Sequence, residues 1–310
     1  MSKPAQADHG AGFVFNMERF ATDDGKGIRT VVFMKGCALR CAWCANPESQ
    51  SFRPTVLFHE NNCQGCGLCR ERCPQGAIRL DASYGMISDP DTCAGCGVCT
   101  EACLYNARTL CGYRIDVQEL IGVLLKDAHY YSMSGGGATF SGGEPLLQSG
   151  FIRAVSLELK KHSIPVLVET CGHVPKENID DVLDTTETFY FDIKHIDSDI
   201  HKKYTGKGNE IILSNLRYMS ENYDGELSVR YPYIPGVNDD TKSIDAMVEA
   251  VCGLRRVDEL VFLPYHRLGL PKYKGMGLEY QFQEMESLKK NALYHLLKRY
   301  RDCGIPVRIQ

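Results

Sequence analysis

The chain has 310 residues, 44% apolar and 24% charged, with a formal net charge of -4. This is the balance of a globular protein that buries a sizeable core as one large domain, or one domain with a small insert. No basic field marks a nucleic-acid partner, no apolar run has the length of a bilayer crossing, and the first eleven residues (MSKPAQADHGA) lack the apolar centre of a secretory signal. A cytoplasmic protein with neither nucleic acid nor membrane as partner is expected.

Short runs rich in β-branched and aromatic residues predict strands at Arg29–Lys35, Ala138–Ser141, Pro165–Glu169, Thr188–Ile193, Leu227–Tyr231 and Glu259–Leu263, with a final strand at Ile305–Ile309. Apolar residues at helical spacing fall between them. Ile115, Leu120, Val123 and Leu124 mark one helix, and Leu147, Phe151, Ile152, Val155 and Leu159 mark another. Further helices are expected near Ile179–Leu183, Ile211–Met219, Ile244–Val251 and Met285–Tyr300. Strand alternating with helix implies parallel strands with crossover helices, here an α/β fold of the open, partial (β/α)6 barrel type. Residues 51–111 interrupt the alternation as a loop-rich, cysteine-rich module. The expected domains are therefore a discontinuous barrel, 1–50 with 112–310, and an insert at 51–111.

Fifteen cysteines in a chain without an export signal argue for metal rather than disulfides. Eight of them form two runs in the insert, Cys63, Cys66, Cys69, Cys73 and then Cys93, Cys96, Cys99, Cys103. Both have the C-x2-C-x2-C-x3-C spacing of bacterial ferredoxins, with Pro74 after the first run and Leu104 in its place after the second. In two-cluster ferredoxins the fourth cysteine of each run binds the other cluster. That predicts one [4Fe-4S] cluster on Cys63, Cys66, Cys69 and Cys103 and another on Cys93, Cys96, Cys99 and Cys73. A structural zinc module is the alternative, and clusters with only a structural role are a second one. Electron relay is the favoured role.

Cys37-x3-Cys41-x2-Cys44 follows the first predicted strand and has no fourth cysteine nearby. Three thiolates leave one iron of a cubane cluster open, and an open coordination position distinguishes a reactive metal site from a closed one. An amine and a carboxylate, both present on S-adenosylmethionine, can chelate that iron. Taken alone, the spacing also fits three incidental buried cysteines. Other polar groups sort to the same place. Gly142, Gly143 and Glu144 end the second strand, Asp192 and Lys194 share one face at the end of the fourth, Arg230 lies near the end of the fifth, and His266 follows the sixth. Each has a plain structural reading of its own, but all fall at C-terminal strand ends, where barrel enzymes assemble their sites. Cys111, Cys171, Cys252 and Cys303 are isolated and read as ordinary buried thiols.

The stretches DGKGIRTVVFMKGCALRCAWCANPE, GGGATFSGGEPLLQ, ETCG, FDIKH, VRYPYIPGVNDD and LPYHRLG resemble the radical S-adenosylmethionine activating enzymes of glycyl radical enzymes. The likeness runs from about Gly12 to the C-terminus, and the subgroup with a ferredoxin-type insert is the nearer match. It implies a radical-SAM partial barrel with an inserted 2[4Fe-4S] module, three [4Fe-4S] clusters in all, and reductive cleavage of S-adenosylmethionine to a 5′-deoxyadenosyl radical. That radical takes hydrogen from a glycine of a partner glycyl radical enzyme, and a flavodoxin or ferredoxin-type protein supplies the electron. By the same resemblance Cys37, Cys41 and Cys44 are the catalytic cluster ligands and Trp43 meets the adenine side of the cofactor. Gly142, Gly143 and Glu144 match the motif for its methionine amino group, and Asp192, Lys194, Arg230 and His266 line its pocket. Thr170 falls where a relative builds a monovalent-cation site, with Glu169 before it instead of aspartate, and Lys26 replaces a usual proline. The CANPESxxxRP and YNARTLCG stretches lean toward activators of aromatic-acid decarboxylases and sulfonate C–S lyases. A radical enzyme acting on a small molecule or peptide, and a multi-cluster electron carrier, are the competing functions.

Overall fold

In a computed structural model, which describes residues 10–310, a single nine-stranded sheet runs through the molecule. The strands in chain order, including those of two small outlying sheets, are Ala11–Ala21 (β1), Arg29–Met34 (β2), Thr55–Phe58 (β3), Ile78–Asp81 (β4), Gly85–Ser88 (β5), Arg108–Cys111 (β6), Tyr113–Asp116 (β7), Gly137–Gly142 (β8), Val166–Thr170 (β9), Thr188–Asp192 (β10), Glu226–Tyr233 (β11), Glu259–Pro264 (β12) and Val307–Ile309 (β13). The large sheet has the order β13-β12-β11-β10-β9-β8-β2-β1-β7. From β2 through β8 to β13 every neighbouring pair is parallel and consecutive along the sheet.

Parallel pairing requires crossovers, and helices supply them. Ser149–Lys161 joins β8 to β9 and buries Phe151, Ile152, Val155 and Leu159, the apolar stripe of its sequence. Glu210–Asn222 and Thr241–Cys252 bury Leu216 and Met219, and Met247 and Val251, in the same way. The strands present Val32, Phe140, Val168, Phe191, Val229 and Phe262 to this shared core, all fully buried. Near-continuous apolar runs are what parallel strands covered on both faces demand. Among the described residues no helix is long and apolar enough to cross a membrane.

Three departures from the sequence expectations have local causes. β1 and β7 form an antiparallel edge beside β2 that periodicity did not reveal. The polar second half of β1, NMERF, hides a strand whose burial lapses after Val14. Ile115 lies in β7, not in the following helix. That helix, Val117–Leu124, starts one residue after Asp116, whose carboxylate accepts the Glu119 N–H as an N-cap. The helix expected over Met285–Tyr300 is confined to a 3-10 turn at Lys290–Leu293 and a short α-helix at Tyr294–Arg299. Upstream, the Leu288 N–H donates to the Tyr265 carbonyl, which draws the chain out of helix.

Residues of the cysteine-rich segment form two small sheets. β3 pairs antiparallel with β6, and β4 with β5. Pairing of Thr55 with Cys111 brings the two ends of the segment together beside the root of β2. There Lys35 is fully buried and its ammonium donates to the Glu48 carbonyl and Thr55 Oγ1. The helix Leu270–Met276 closes the other side. Gly275 approaches so closely that a Cβ would stand 2.7 Å from the Phe58 carbonyl oxygen, and Lys272 pairs with buried Glu48 at 2.6 Å.

Burial pushes the Lys35 ammonium from 10.5 down to about 8. Between those values the unfolded chain holds a proton that the folded chain lacks, so this group makes stability rise with pH. Over that window the wild-type chain should gain up to about 3 kcal/mol relative to Lys35→Met. Urea midpoints measured anaerobically for both chains check this, and parallel pH curves would refute it.

Candidate functional site

The parallel register sets the C-terminal ends of β2 and β8–β12 along one edge. Met34 pairs with Gly142, Phe191 with Thr170, Asp192 with Arg230, and Tyr233 with Pro264. Beyond that edge lies a cavity of about 280 Å³. Its lining includes Cys37, Cys41 and Cys44 from the loop after β2, and Trp43 between the last two. Gly142 and Gly143 come from the end of β8 and just beyond it, Thr170 and Cys171 likewise from β9, Asp192 and Lys194 likewise from β10, Arg230 from within β11, and His266 from beyond β12. Glu144, the remaining expected residue, does not line the cavity.

Close backbone approach shapes the cysteine loop. Gly143 N–H donates to the Met34 carbonyl at 2.9 Å and Glu144 N–H to the Gly36 carbonyl at 2.7 Å. A Cβ on Gly143 would stand 2.3 Å from the Gly36 oxygen, so only glycine allows the turn after β8 to lie against the root of the cysteine loop. Farther along, Arg40 and Ala42 donate their N–H groups to the carbonyls of Thr205 and Tyr204. Tyr273 donates its hydroxyl to the Cys41 carbonyl. The loop is thus held on several sides by the protein's own groups.

Glu144 is fully buried, and its carboxylate accepts from Thr170 Oγ1 at 2.7 Å, Cys171 N–H at 2.9 Å, Cys171 Sγ at 3.0 Å and Leu146 N–H at 3.1 Å. Burial pushes this carboxyl above the usual range against the pull of those donors. It ties the turn after β8 to the end of β9, behind the cavity wall formed by Gly142 and Gly143. Cys171, read from the sequence as an ordinary buried thiol, is buried but also hydrogen-bonded to Glu144 through its N–H and its Sγ. Its position directly after Thr170 at a strand end is the signal that could have marked it.

Two ion pairs lie in the cavity. Lys194 Nζ meets Asp192 Oδ2 at 2.7 Å. Burial pulls the Lys194 ammonium down, yet the adjacent Asp192 carboxylate outweighs it and leaves its pKa above the ordinary lysine value. Arg230 meets Glu169 Oε1 at 3.0 Å and lies over the Tyr190 ring at 3.6 Å, while Glu169 Oε2 accepts from Ser141. Sequence reading missed the Ser141 and Glu169 contributions, which only the sheet register brings beside Arg230. One nitrogen of that guanidinium, Nε, is buried without a partner among the described residues.

Burial raises the Cys41 and Cys44 thiols. Free thiolates are therefore disfavoured there, and cationic iron is the partner that would take the place of the proton. Cys37, Cys41 and Cys44 around one cavity thus fit a three-thiolate cluster. In the cysteine-rich segment the structure brings Cys63, Cys66 and Cys69 together with Cys103 around one small cavity, and Cys93, Cys96 and Cys99 with Cys73 around another. Ala77 N–H donates to Cys73 Sγ and Ala107 N–H to Cys103 Sγ, each at 3.3 Å. Such N–H···S bonds stabilise thiolate ligands. Among the described residues no three His, Cys, Asp or Glu side chains gather as a single metal ion requires.

The Radical SAM superfamily matches residues 92–247, a 4Fe-4S dicluster domain residues 62–107, and a 4Fe-4S single cluster domain residues 23–76. The 4-hydroxyphenylacetate decarboxylase activating enzyme of Clostridioides difficile is 36% identical over 95% of this chain and 94% of its own. The (2S)-3-sulfopropanediol sulfolyase activating enzyme of Bilophila wadsworthia is 39% identical over 91% and 93%. The trans-4-hydroxy-L-proline dehydratase activating enzyme of Clostridioides difficile is 38% identical over 96% and 98%. Among solved structures, a radical SAM methyltransferase from Sphaerobacter thermophilus shares the fold at TM-score 0.54 and 13% identity, covering 96% of this chain and 76% of that one.

Removing the Glu144 carboxylate strands the Thr170 hydroxyl and the buried backbone N–H groups of Leu146 and Cys171, at about 1–3 kcal/mol each. Glu144→Ala should therefore lower the unfolding midpoint strongly, with Glu144→Gln falling between it and the wild type. Thermal melts under anaerobic conditions check the order, and an unchanged midpoint in Glu144→Ala would show that the buried carboxylate does not tie β8 to β9.

Proposed function

The chain belongs to the activating enzymes of glycyl radical enzymes within the radical SAM superfamily, and from that premise we propose which of its residues do the work. The observation that carries the proposal is the meeting of Cys37, Cys41 and Cys44 with Gly142, Asp192 and Lys194 around one cavity. These three thiolates would hold a [4Fe-4S] cluster and leave one of its irons open to S-adenosylmethionine. When bound, cluster and cofactor supply reductive cleavage to methionine and a 5′-deoxyadenosyl radical, which takes a hydrogen atom from a glycine of the partner enzyme.

The protein's part is orientation and exclusion. Asp192 and Lys194, 2.7 Å apart, present both charge signs to the zwitterionic end of the methionine moiety. The backbone of Gly142 and Gly143 faces the amino group, with buried Glu144 fixing that turn from behind. Trp43 packs with Ile234, Val237 and Tyr265 as an apolar wall suited to adenine. Arg230 is held against Glu169 and Tyr190, and His266 stands exposed at the mouth. The monovalent cation implied by resemblance is left out of the proposal: Glu169 is already paired with a guanidinium and the Thr170 hydroxyl is turned to Glu144.

The architecture proposed around this site is a partial (β/α)6 barrel, residues 1–50 with 112–310, carrying a two-cluster module at 51–111. Cys63, Cys66, Cys69 and Cys103 take one [4Fe-4S] cluster, and Cys73, Cys93, Cys96 and Cys99 the other. Clusters held there would supply electrons to one held by Cys37, Cys41 and Cys44. The electron comes from a flavodoxin or ferredoxin-type protein in the cytoplasm, and the partner is a glycyl radical enzyme.

Reduction of the reconstituted chain with dithionite and S-adenosylmethionine should release 5′-deoxyadenosine, and no release from a fully loaded chain would sink the assignment. Cys41→Ala should abolish release and lower iron per chain by about one third. Cys66→Ala should lower iron similarly but keep release, at a slower rate with a protein donor. Equal loss of release in both variants would contradict the division of roles between barrel and insert.

A further inference from the structure

The two halves of the cysteine-rich segment repeat each other in spacing but not in surroundings. In the second half, Gly95 and Gly97 are buried. A Cβ on Gly95 would stand 2.6 Å from the Pro54 carbonyl oxygen, in the stretch that leads from cavity-lining Gln50 to β3. Gly112, just after β6, lies against Lys35 at the root of the three-cysteine loop. The Gly95 turn of this half is therefore packed against the stretch that leads out of the three-cysteine loop. In the first half, nothing comes within 4 Å of a Cβ on Gly65 or Gly67, and residues 64–66 are exposed.

Charge breaks the repeat in the same sense. Arg70 in the short helix Leu68–Glu71 and Arg72 at its C-cap are both exposed and pair with no acid among the described residues. The matching positions of the second half hold Thr100 and Ala102, while the exposed acid between them, Glu71 in the first half and Glu101 in the second, is common to both. Beside the first-half cavity Leu104 is 81% exposed and Tyr105 48%, and Tyr105 lines that cavity together with Leu68 and Cys69. An apolar centre with a cationic rim is the anatomy of a transient docking surface.

We propose that the half carrying Cys63, Cys66, Cys69 and Cys103 is the electron-accepting face, and that an acidic one-electron carrier protein docks there on Arg70, Arg72, Leu104 and Tyr105. This rests on the relay role given above. The carrier is oxidised by one electron and this face accepts it. The half bonded through Cys73, Cys93, Cys96 and Cys99 passes the electron inward.

The test measures the Kd of reduced flavodoxin for the cluster-loaded chain at low and high salt, without S-adenosylmethionine. Arg70→Gln/Arg72→Gln should raise Kd at least about tenfold at low salt and flatten its salt dependence. Leu104→Asn should raise Kd with the salt slope kept. Lys298→Gln/Arg301→Gln, the same charge change on exposed residues outside the insert, should leave both unchanged. Unchanged binding in the arginine variant, or equal weakening in the Lys298 and Arg301 control, would overturn the assignment. Release of 5′-deoxyadenosine with dithionite needs no docked protein. Its loss in the wild-type chain would count against the proposed function, and its retention in the arginine variant separates the two.

Discussion

Parallel hydrogen bonding between β2 and β8 is the constraint on which the site depends. Its register pairs Met34 with Gly142 and continues past the strands, where Gly143 and Glu144 donate to the Met34 and Gly36 carbonyls. The cysteine loop and the double-glycine turn are therefore held together by backbone bonds, with the Gln148 side chain donating to the Lys35 carbonyl beside them. Glu144 extends that connection to Thr170 and Cys171 at the end of β9, and the next parallel pairs carry it to Asp192 and Arg230. A one-residue slip anywhere in this series would turn those side chains to the other face of the sheet.

The same constraint explains the electrostatic character of the cavity. Parallel strands are covered on both faces, so charged groups gather only where the strands end. There Lys194 pairs with Asp192 and Arg230 with Glu169, each pair in contact at 3.0 Å or less. Paired charges tolerate burial that isolated ones do not. The cavity can thus offer charge to a small zwitterion while its other wall, around Trp43 and Tyr265, stays apolar.

Much of this was legible in the residues. Strands with unbroken apolar runs, such as TFYFDI and ELVFL, read correctly because full burial leaves no alternation to misinterpret. Cysteine spacing marked all three groups. β1 and β7 were missed because an edge strand that is half polar carries little periodic signal. The role of Glu144 also lay beyond sequence reading. Its motif points toward the cofactor, but the carboxylate is turned into the protein by four donors, three of them from Thr170 and Cys171, 26 and 27 residues downstream. The bond between Glu169 and Arg230 spans 61 residues and exists only once the register is set.

The central claim is that strand ends assemble one pocket in which the iron left open by Cys37, Cys41 and Cys44 is chelated by the cofactor. Electron–nuclear double resonance on the reduced chain, loaded with S-adenosylmethionine carrying nitrogen-15 at its amino group, tests this directly. A nitrogen-15 coupling to the cluster is expected in the wild-type chain and in Cys66→Ala, and is lost in Cys41→Ala. A reduced, fully loaded wild-type chain that binds S-adenosylmethionine without any such coupling would contradict the account.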